Sequence, residues 1–303
     1  MTLDETAKAT SRNIPDVIAH RGFSGKYPEN TIQSYEKAVE AGTTALEGDI
    51  RISKDGEVIM MHDLSLQRTT TGTGAVNDCL WHGYIDGLVT KAGQQPIPRL
   101  QDVFNMLLRI PNKSVYMIID IKFDNPLEIL DAVHLLVHSY NQEDRAFLEK
   151  QVVFGVWHPD FLKRAKELFP EYALCFIGLS LEAARKHFLH EVDQLSMPFA
   201  TLVDEDGQAF IKEAQALGKR VYCWTINDIG QMHNCVVWGV NGVVGDFIDT
   251  LVQHVRHDIE NMTPDNFDHY LKSCTYLSHR RRRWYYYLLK KGMYWASWKF
   301  IGI

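Results

Sequence analysis

Three short apolar runs near the start of the chain each end in side chains that could cleave a phosphodiester with the help of a metal ion. These side chains belong to His20, Arg21, Glu47, Asp49 and His62. If the runs are buried parallel strands, the polar residues lie where the strands end. In a barrel of parallel strands, active sites form at the carboxyl ends of the strands. The pattern therefore predicts one site that contains all five residues.

Glu47 and Asp49 are two residues apart, so in a strand their side chains point to the same side. Buried carboxylates without a cation would repel each other, and a divalent cation would remove that cost. Oxygen ligands favour Mg²⁺, Ca²⁺ or Mn²⁺ over zinc. Asp120 ends a later apolar run and is the third predicted ligand, with Lys122 on the same side. The alternative is a set of ion pairs around the rim.

His20 and His62 are predicted to be an acid–base pair. One would take the proton from the attacking oxygen, and the other would protonate the leaving alkoxide. Arg21 has a planar guanidinium that matches phosphate oxygens, although it could instead pair with Glu29. His62 as a further metal ligand is a second interpretation. For both histidines the alternative is a hydrogen-bonded side chain without a catalytic role.

These residues need a scaffold, and the alternation of apolar and amphipathic segments predicts a parallel sheet covered by helices. The predicted strands are 17–20, 45–50, 57–62, 116–121, 152–157, 173–178, 199–203, 221–226 and 242–246. The predicted helices are 31–41, 99–109, 126–138, 159–168, 181–190, 207–217 and 228–238. So many repeats favour a TIM (β/α)₈ barrel over an open sheet. Since the barrel has eight places, one of the predicted strands is wrong or lies outside it.

The connection from Asp49 to His62 is too short to contain a helix. It includes Asp55-Gly56, which is a strong signal for a tight turn. The limbs before and after the turn have about six or seven residues each, and each spans roughly 20 Å at about 3.3 Å per residue. Both ends therefore return to the same level, which places His62 beside Glu47.

The predicted domains are a flexible N-terminus (1–13), a catalytic barrel (14–258), a linker (259–275) and a C-terminal anchor (276–303). Residues 64–98 are rich in Thr and Gly and are predicted to form an insertion after the third strand that covers part of the site. The five cysteines have no zinc-ligand spacing, so free thiols in a reducing compartment are expected. We expect no secretory signal and no membrane-spanning helix.

The segment 276–303 has seven cations and no acid, whereas the rest of the chain has 25 basic and 38 acidic residues. On a helix, its aromatic residues and Leu288 form one stripe with Lys291 inside it. The stripe consists of Trp284, Tyr287, Leu288, Tyr294, Trp295 and Trp298. This pattern predicts a monotopic anchor in the surface of an anionic membrane. The alternatives are a helix that packs its aromatics on the barrel and, less favoured, a tail that binds nucleic acid.

The motifs also resemble those of a known family. H-R-G-x₅-P-E-N-T, E-x-D, D-G followed by H-D, Q-R-T-T-x-G-x-G, D-I-K and V-Y-C-W-T-I-N occur in order between about residues 16 and 250. They resemble the glycerophosphodiester phosphodiesterase family, which implies a TIM barrel and metal-assisted hydrolysis at a glycerol phosphate. The resemblance implies His20 and His62 as the catalytic pair, Glu47, Asp49 and Asp120 as metal ligands, Arg21 and Lys122 as phosphate-binding residues, and Trp224 as a wall of the glycerol pocket.

The sequence departs from the family pattern at Asp120, where most members have Glu. With the tail, this makes the chain similar to the fungal phosphatidylglycerol phospholipase C branch. The expected reaction releases glycerol phosphate from phosphatidylglycerol and leaves diacylglycerol, on an intracellular membrane such as a lipid droplet, the ER or a mitochondrion. The alternatives are hydrolysis of soluble glycerophosphodiesters, a lysophospholipase D cut, and a barrel that only binds lipid headgroups. We expect no nucleic acid, and no protein partner is implied.

Overall fold

The barrel is built from parallel strands, as the sequence predicts. The computed structural model describes residues 14–109 and 112–303, with Phe300 as backbone only, so the predicted N-terminal segment 1–13 lies outside the described residues. In these residues the strands are β1 Asp16–Ala19, β2 Ala45–Ile52, β3 Val58–Met60, β4 Tyr116–Ile121, β5 Val152–Val156, β6 Ala173–Ile177, β7 Gln194–Pro198, β8 Arg220–Trp224 and β9 Gly242–Gly245. The strands β1-β2-β4-β5-β6-β7-β8-β9 pair in parallel and close on themselves. The TIM barrel is thus confirmed.

Helices connect the strands and surround the barrel. In the described part of the chain the α-helices are α1 Ile32–Glu40, α2 Leu100–Leu107, α3 Ile129–His138, α4 Gln142–Gln151, α5 Pro159–Leu168, α6 Leu181–Ala183, α7 Phe199–Leu202, α8 Glu205–Ala216, α9 Ile229–Trp238, α10 Ile248–Val252, α11 Pro264–Lys272 and α12 Arg280–Ala296. Several begin after a capping residue: the side chains of Thr31, Asp204 and Asp228 accept hydrogen bonds from backbone N–H groups in the first turn.

The strand that lies outside the barrel is β3. It pairs antiparallel with β2, with Ile50 opposite Met60, and the tight turn between them contains Gly56 at φ +88°. The backbone N–H of Met61 donates to the carbonyl oxygen of Asp49 at 2.9 Å. This hairpin is the predicted return of the chain, and it brings His62 to the level of Asp49.

The predicted strand 199–203 is wrong. The strand at this position is β7, and residues Phe199–Leu202 form the short helix α7. Gln194 and Ser196 are polar but buried, so β7 does not appear as an apolar run. Phe199 is buried because α12 covers it from outside. The short helix α7 is therefore as apolar as a buried strand, which explains the wrong prediction.

The segment predicted as a linker also contains regular structure. Residues 264–272 form α11, and the ring of Tyr270 stacks on that of His233 in α9 with 3.8 Å between centroids. Residues 64–98 do form an insertion after β3, and it has its own small apolar cluster around Leu66, Trp81 and Ile85.

The barrel interior is filled below the site. Ile18, Ile118, Cys175 and Val244 belong to one buried cluster inside the strands. Since these side chains fill the barrel below the site, a ligand would enter at its carboxyl end.

Candidate active site

Three carboxylates from two neighbouring strands meet at the carboxyl end of the barrel. Glu47 and Asp49 lie on β2, and Asp120 lies on β4 directly opposite Asp49 in the parallel register. Ligand oxygens of the three side chains lie within 4.8 Å of one another, and all three residues are buried. They line a cavity of about 100 Å³. Three carboxylate oxygens this close suit a hard divalent cation, so the donor set fits the predicted metal.

Lys122 partly compensates the three negative charges. Its Nζ lies 2.6 Å from Oδ1 of Asp49 and 2.5 Å from Oδ2 of Asp120. Burial would lower the pKa of Lys122, but Asp120 and Asp49 raise it above its usual value. Lys122 is therefore charged, and it can also face a phosphate at the mouth of the cavity.

The two carboxylates on β2 titrate differently. Burial, and then the charge of Asp49, raise the pKa of Glu47 to about 7. Burial also acts to raise the pKa of Asp49, but Lys122 and Arg21 bring it far below the usual range. The pKa values of the two carboxylates differ because of their positions. Asp49 contacts the charged groups of Arg21 and Lys122, whereas Glu47 accepts a hydrogen bond from the backbone N–H of Arg21 at 2.9 Å. A divalent cation would stabilise the charged form of Glu47.

The residues around the carboxylates hold them in place. The amide Nδ2 of buried Asn30 donates to Oδ2 of Asp49 at 2.9 Å, and its Oδ1 accepts from the hydroxyl of Tyr35 at 2.8 Å. Gly48, between the two ligands, faces Tyr35, and a Cβ there would lie 2.2 Å from the Tyr35 hydroxyl. Glycine is thus required for β2 to approach α1 this closely.

His20 is held by a carboxylate that lies 226 residues later in the chain. Its Nδ1 donates to Oδ1 of Asp246 at 2.6 Å, which leaves Nε2 for a substrate. Asp246 follows β9, and it also accepts hydrogen bonds from Ser24 and Asn227. Burial would lower the pKa of His20, but the hydrogen bond to Asp246 and the charge of Glu47 raise it above its usual value.

His62 has a different environment. Its Nδ1 donates to Oδ1 of Asp63 at 2.7 Å, and Asp63 is held by Arg68 from the insertion. Burial lowers the pKa of His62 below its usual value, while Asp49 and Lys122 act in opposite directions. The pKa shifts of the two histidines therefore have opposite directions: the raised pKa of His20 suits an acid, and the lowered pKa of His62 suits a base.

Arg21 pairs with Glu29, and it also lines the cavity in which it is predicted to bind phosphate. Its Nη1 donates to Oε1 of Glu29 at 3.0 Å, and its Nε lies 3.4 Å from Oδ2 of Asp49. Arg21 has φ +55° and Gly22 has φ +82°, so the chain turns sharply after His20. This turn directs the guanidinium into the cavity, which Arg21 lines together with His20.

An aromatic wall faces the charged residues. Trp224 ends β8, and its ring is 6.1 Å from that of Trp157, which follows β5. Trp157 Nε1 donates to Oδ1 of Asp120 at 2.6 Å. Nε1 of Trp224 is buried without a hydrogen-bond partner among the described residues. It is a donor available to a ligand hydroxyl.

The structure thus brings all the predicted site residues to one cavity. They are His20, Arg21, Glu47, Asp49, His62, Asp120, Lys122 and Trp224. Sequence reasoning missed Asp246, Trp157 and Asn30 as residues of the site. Asp246 and Trp157 are the first residues after β9 and β5, so their place at strand ends was a signal for both.

The predicted C-terminal stripe forms only in part. Trp284, Tyr287, Leu288, Trp295 and Trp298 are exposed, and with Lys291 they constitute what we call the outer face of α12 and the turn after it. Tyr294 does not belong to this face. Its hydroxyl accepts a hydrogen bond from the backbone of Leu181, on the barrel. Among the described residues, none of the helices has the length and apolar character needed to span a bilayer.

Comparison with known proteins points to one family. The sequence profile of the glycerophosphoryl diester phosphodiesterase family matches residues 20–250. The glycerophosphodiester phosphodiesterase of Caldanaerobacter subterraneus subsp. tengcongensis is 28% identical over 252 residues, which cover 79% of this chain and 97% of the relative. That of Bacillus altitudinis is 26% identical over 253 residues, covering 80% and 99%.

Solved structures share the fold. A phosphodiesterase of Oleispira antarctica in complex with the product sn-glycerol-3-phosphate has a TM-score of 0.69 at 23% identity, covering 80% of this chain and 97% of that one. A glycerophosphodiester phosphodiesterase of Parabacteroides distasonis has a TM-score of 0.66 at 22% identity, covering 80% and 97%.

Proposed function

Because this chain belongs to the glycerophosphoryl diester phosphodiesterase family, we propose that it hydrolyses glycerophosphodiesters with the help of a divalent cation and releases glycerol phosphate. The observation that carries the proposal is the meeting of three buried carboxylates with two histidines at one cavity. The Oleispira antarctica enzyme binds sn-glycerol-3-phosphate as its product, which supports the same product here.

Glu47, Asp49 and Asp120 would hold the cation, which would be Mg²⁺, Ca²⁺ or Mn²⁺ because all three ligands are oxygens. When bound, it would offset the negative charge that develops on the phosphate oxygens. Arg21 and Lys122 line the same cavity and would bind the remaining phosphate oxygens. The side chains of Arg21 and Lys122 are held in place, because each also pairs with Asp49.

The histidines divide the proton transfers. His62, with its lowered pKa, is neutral near pH 7 and is suited to take a proton from the attacking hydroxyl. His20, with its raised pKa, is suited to donate a proton to the leaving alkoxide. The attacking group is either the middle hydroxyl of the glycerol, which would give a cyclic phosphate, or water. Detection of a cyclic product under single turnover supports the first route.

A second candidate substrate is phosphatidylglycerol, which the enzyme would cleave into diacylglycerol and glycerol phosphate. The observation that favours it is the location of α12. The barrel residues that α12 contacts come after β6, β7 and β8 in the chain, so they lie at the end of the barrel that holds the site. A lipid headgroup would reach the same carboxylates and histidines, so the chemistry would be unchanged.

The test supplies purified protein with glycerophosphocholine, or with phosphatidylglycerol vesicles, each with and without EDTA. Metal-dependent release of glycerol phosphate from glycerophosphocholine is expected, and diacylglycerol from vesicles would support the second candidate. Phosphatidic acid released in the vesicles would indicate a phospholipase D-type cut instead. If neither substrate is turned over even without EDTA, the proposal is wrong and a barrel that only binds headgroups becomes the better interpretation. Turnover that EDTA does not change would contradict the role of the divalent cation.

A further inference from the structure

One side of α12 is fixed to the barrel. Lys290 is buried, and its Nζ donates to both carboxylate oxygens of Asp204 at 2.8 Å. Tyr286 is buried as well, its ring lies 5.1 Å from that of Phe199, and its hydroxyl accepts a hydrogen bond from Gln231 at 2.8 Å. These contacts orient the helix about its own axis, so the side that points to solvent is also determined.

The outer face points away from these contacts. At 100° per residue, Trp284, Leu288 and Trp295 lie on the side of the helix opposite Tyr286 and Lys290. Trp284 is 60% exposed and Trp298 is 71% exposed. Large aromatic side chains exposed together on one helix face are typical of a surface that binds a partner or a membrane.

Cations surround this apolar stripe. Lys291 lies 4.8 Å from the ring centroid of Tyr287, and Lys299 lies 4.5 Å from that of Trp295. Arg280–Arg283 occupy the first turn of the helix, where the helix dipole disfavours positive charge. Arg280 and Arg283 also line a surface groove of about 380 Å³ with Trp284 and Tyr287. An anionic surface would relieve the repulsion among these charges.

We propose that the outer face of α12, with the arginines at its start, docks on the anionic surface of a phospholipid bilayer. Trp and Tyr rings favour the layer of lipid headgroups, and long cationic side chains reach phosphates while their stems stay among apolar groups. The helix lies at the carboxyl end of the barrel, because Leu181, Phe199 and Asp204 follow β6 and β7. Docking would therefore hold the catalytic cavity near lipid headgroups.

The charges argue against other occupants. A symmetric contact with a second copy would place the cations of one helix against those of the other, since 276–303 has no acid to pair with them. A nucleic acid would have to approach a barrel with an excess of acidic residues. A flat bilayer can contact the outer face of α12 alone, and it supplies both anionic headgroups and the interfacial layer that Trp rings favour.

The test measures co-sedimentation of the full chain with vesicles of phosphatidylcholine alone, or of equal parts phosphatidylcholine and phosphatidylserine, in EDTA. Phosphatidylserine is not the proposed substrate and EDTA prevents turnover, so the result does not depend on the proposed function. We expect binding to the anionic vesicles that weakens with salt. Replacing Arg280, Arg281 and Arg283 by Gln is expected to weaken that binding on the order of a hundredfold.

Replacing Trp284, Trp295 and Trp298 by Ala is expected to weaken binding roughly tenfold or more. The single variant Trp298→Ala provides a milder test if the triple variant does not fold. Lys150, Lys163 and Lys212 are exposed on other helices, and changing these three to Gln removes the same charge as a control. Deleting 276–303 is not a suitable test, because it would uncover Phe199.

Several results would overturn the proposal. One is a folded wild-type chain that does not bind anionic vesicles, and another is tryptophan and arginine variants that bind as strongly as the lysine control. A concentration-dependent dimer that the tryptophan substitutions abolish, without vesicle binding, would identify a second copy as the occupant. Binding to an RNA or DNA oligonucleotide in place of vesicles would identify a nucleic acid.

Discussion

The catalytic cavity and the outer face of α12 both gather charged and aromatic side chains, but at opposite extremes of burial. In the cavity, Asp49 is 1% exposed and each of its oxygens contacts a donor. On the outer face, Trp298 is 71% exposed, and Lys291 and Lys299 lie over neighbouring aromatic rings.

The difference follows from the cost of burying charge. A buried carboxylate needs partners at fixed distances, so the cavity depends on particular residues at particular positions. An exposed surface obtains its affinity from the sum of many weak contacts, and no single one is essential. Substitutions in the cavity should therefore have large, position-specific effects, whereas those on α12 should be small, additive and dependent on salt.

The largest effect is expected for Asp49→Asn. The change leaves Lys122 and Arg21 without their shared partner and removes one of the three metal ligands. We expect kcat/KM on glycerophosphocholine to fall on the order of 10⁴-fold, and cation affinity measured by calorimetry to fall with it. Asp131→Asn is the control, because Asp131 pairs with Arg164 and does not line the cavity. Full activity with Asn at position 49 would mean that the carboxylates are only structural.

Removing His62 should cost less, about 10³-fold in kcat for His62→Gln. The pH profile gives a further readout. Protonation of His62 stops it from acting as a base, so its lowered pKa sets the acid limb of the wild-type profile. Loss of the proton from His20 sets the alkaline limb through its raised pKa. The variant should lose the acid limb and keep the alkaline one, and a profile that keeps both would assign the base role to another group.

A smaller effect is expected for Asp246→Asn, which removes a charge but leaves an oxygen that can accept from His20. The pKa of His20 should fall, so the alkaline limb should move to lower pH and kcat should fall roughly tenfold. Asp249→Asn is the matched control, since Asp249 is three residues away and pairs with exposed Lys26. An unmoved alkaline limb would show that Asp246 does not set the pKa of His20.

The sequence predicts the barrel and the residues at its strand ends, because local patterns encode both. The apolar run before His62 and the turn at Asp55-Gly56 together place His62 correctly, since register in a short hairpin is a local property. β7 was missed because buried Gln194 and Ser196 interrupt its apolar pattern.

Long-range partners are harder to predict from the sequence. His20 and Asp246 meet only because β1 pairs with β9 and closes the barrel, and no local pattern joins residues so far apart. The sequence also does not show that Lys290 is buried against the barrel while Lys291 is exposed. Both are cations in one aromatic segment, and only the orientation of the helix distinguishes them.

These adjacent lysines give the smallest effects and the most direct comparison. Lys290→Gln should reduce the free energy of unfolding by about 1–2 kcal/mol, because Asp204 loses its charged partner. The loss is limited because the Asp204 carboxylate is partly exposed to water. Lys291→Gln should leave stability within about 0.5 kcal/mol and weaken binding to anionic vesicles about fivefold. Urea unfolding and vesicle sedimentation measure the two effects separately.

The pH dependence of this difference also has an expected direction. Burial would lower the pKa of Lys290, but its hydrogen bond to Asp204 raises it above the usual value. A raised pKa means that the pair stabilises the fold fully at pH values below about 10.4, where the unfolded lysine is also charged, and that this stabilisation is lost as the pH rises through the folded value. The stability gap between wild type and Lys290→Gln should therefore be constant near neutral pH and close only in strong alkali. If Lys291→Gln destabilises the fold as much as Lys290→Gln, the helix is docked in another orientation and the outer face is not the membrane-binding side.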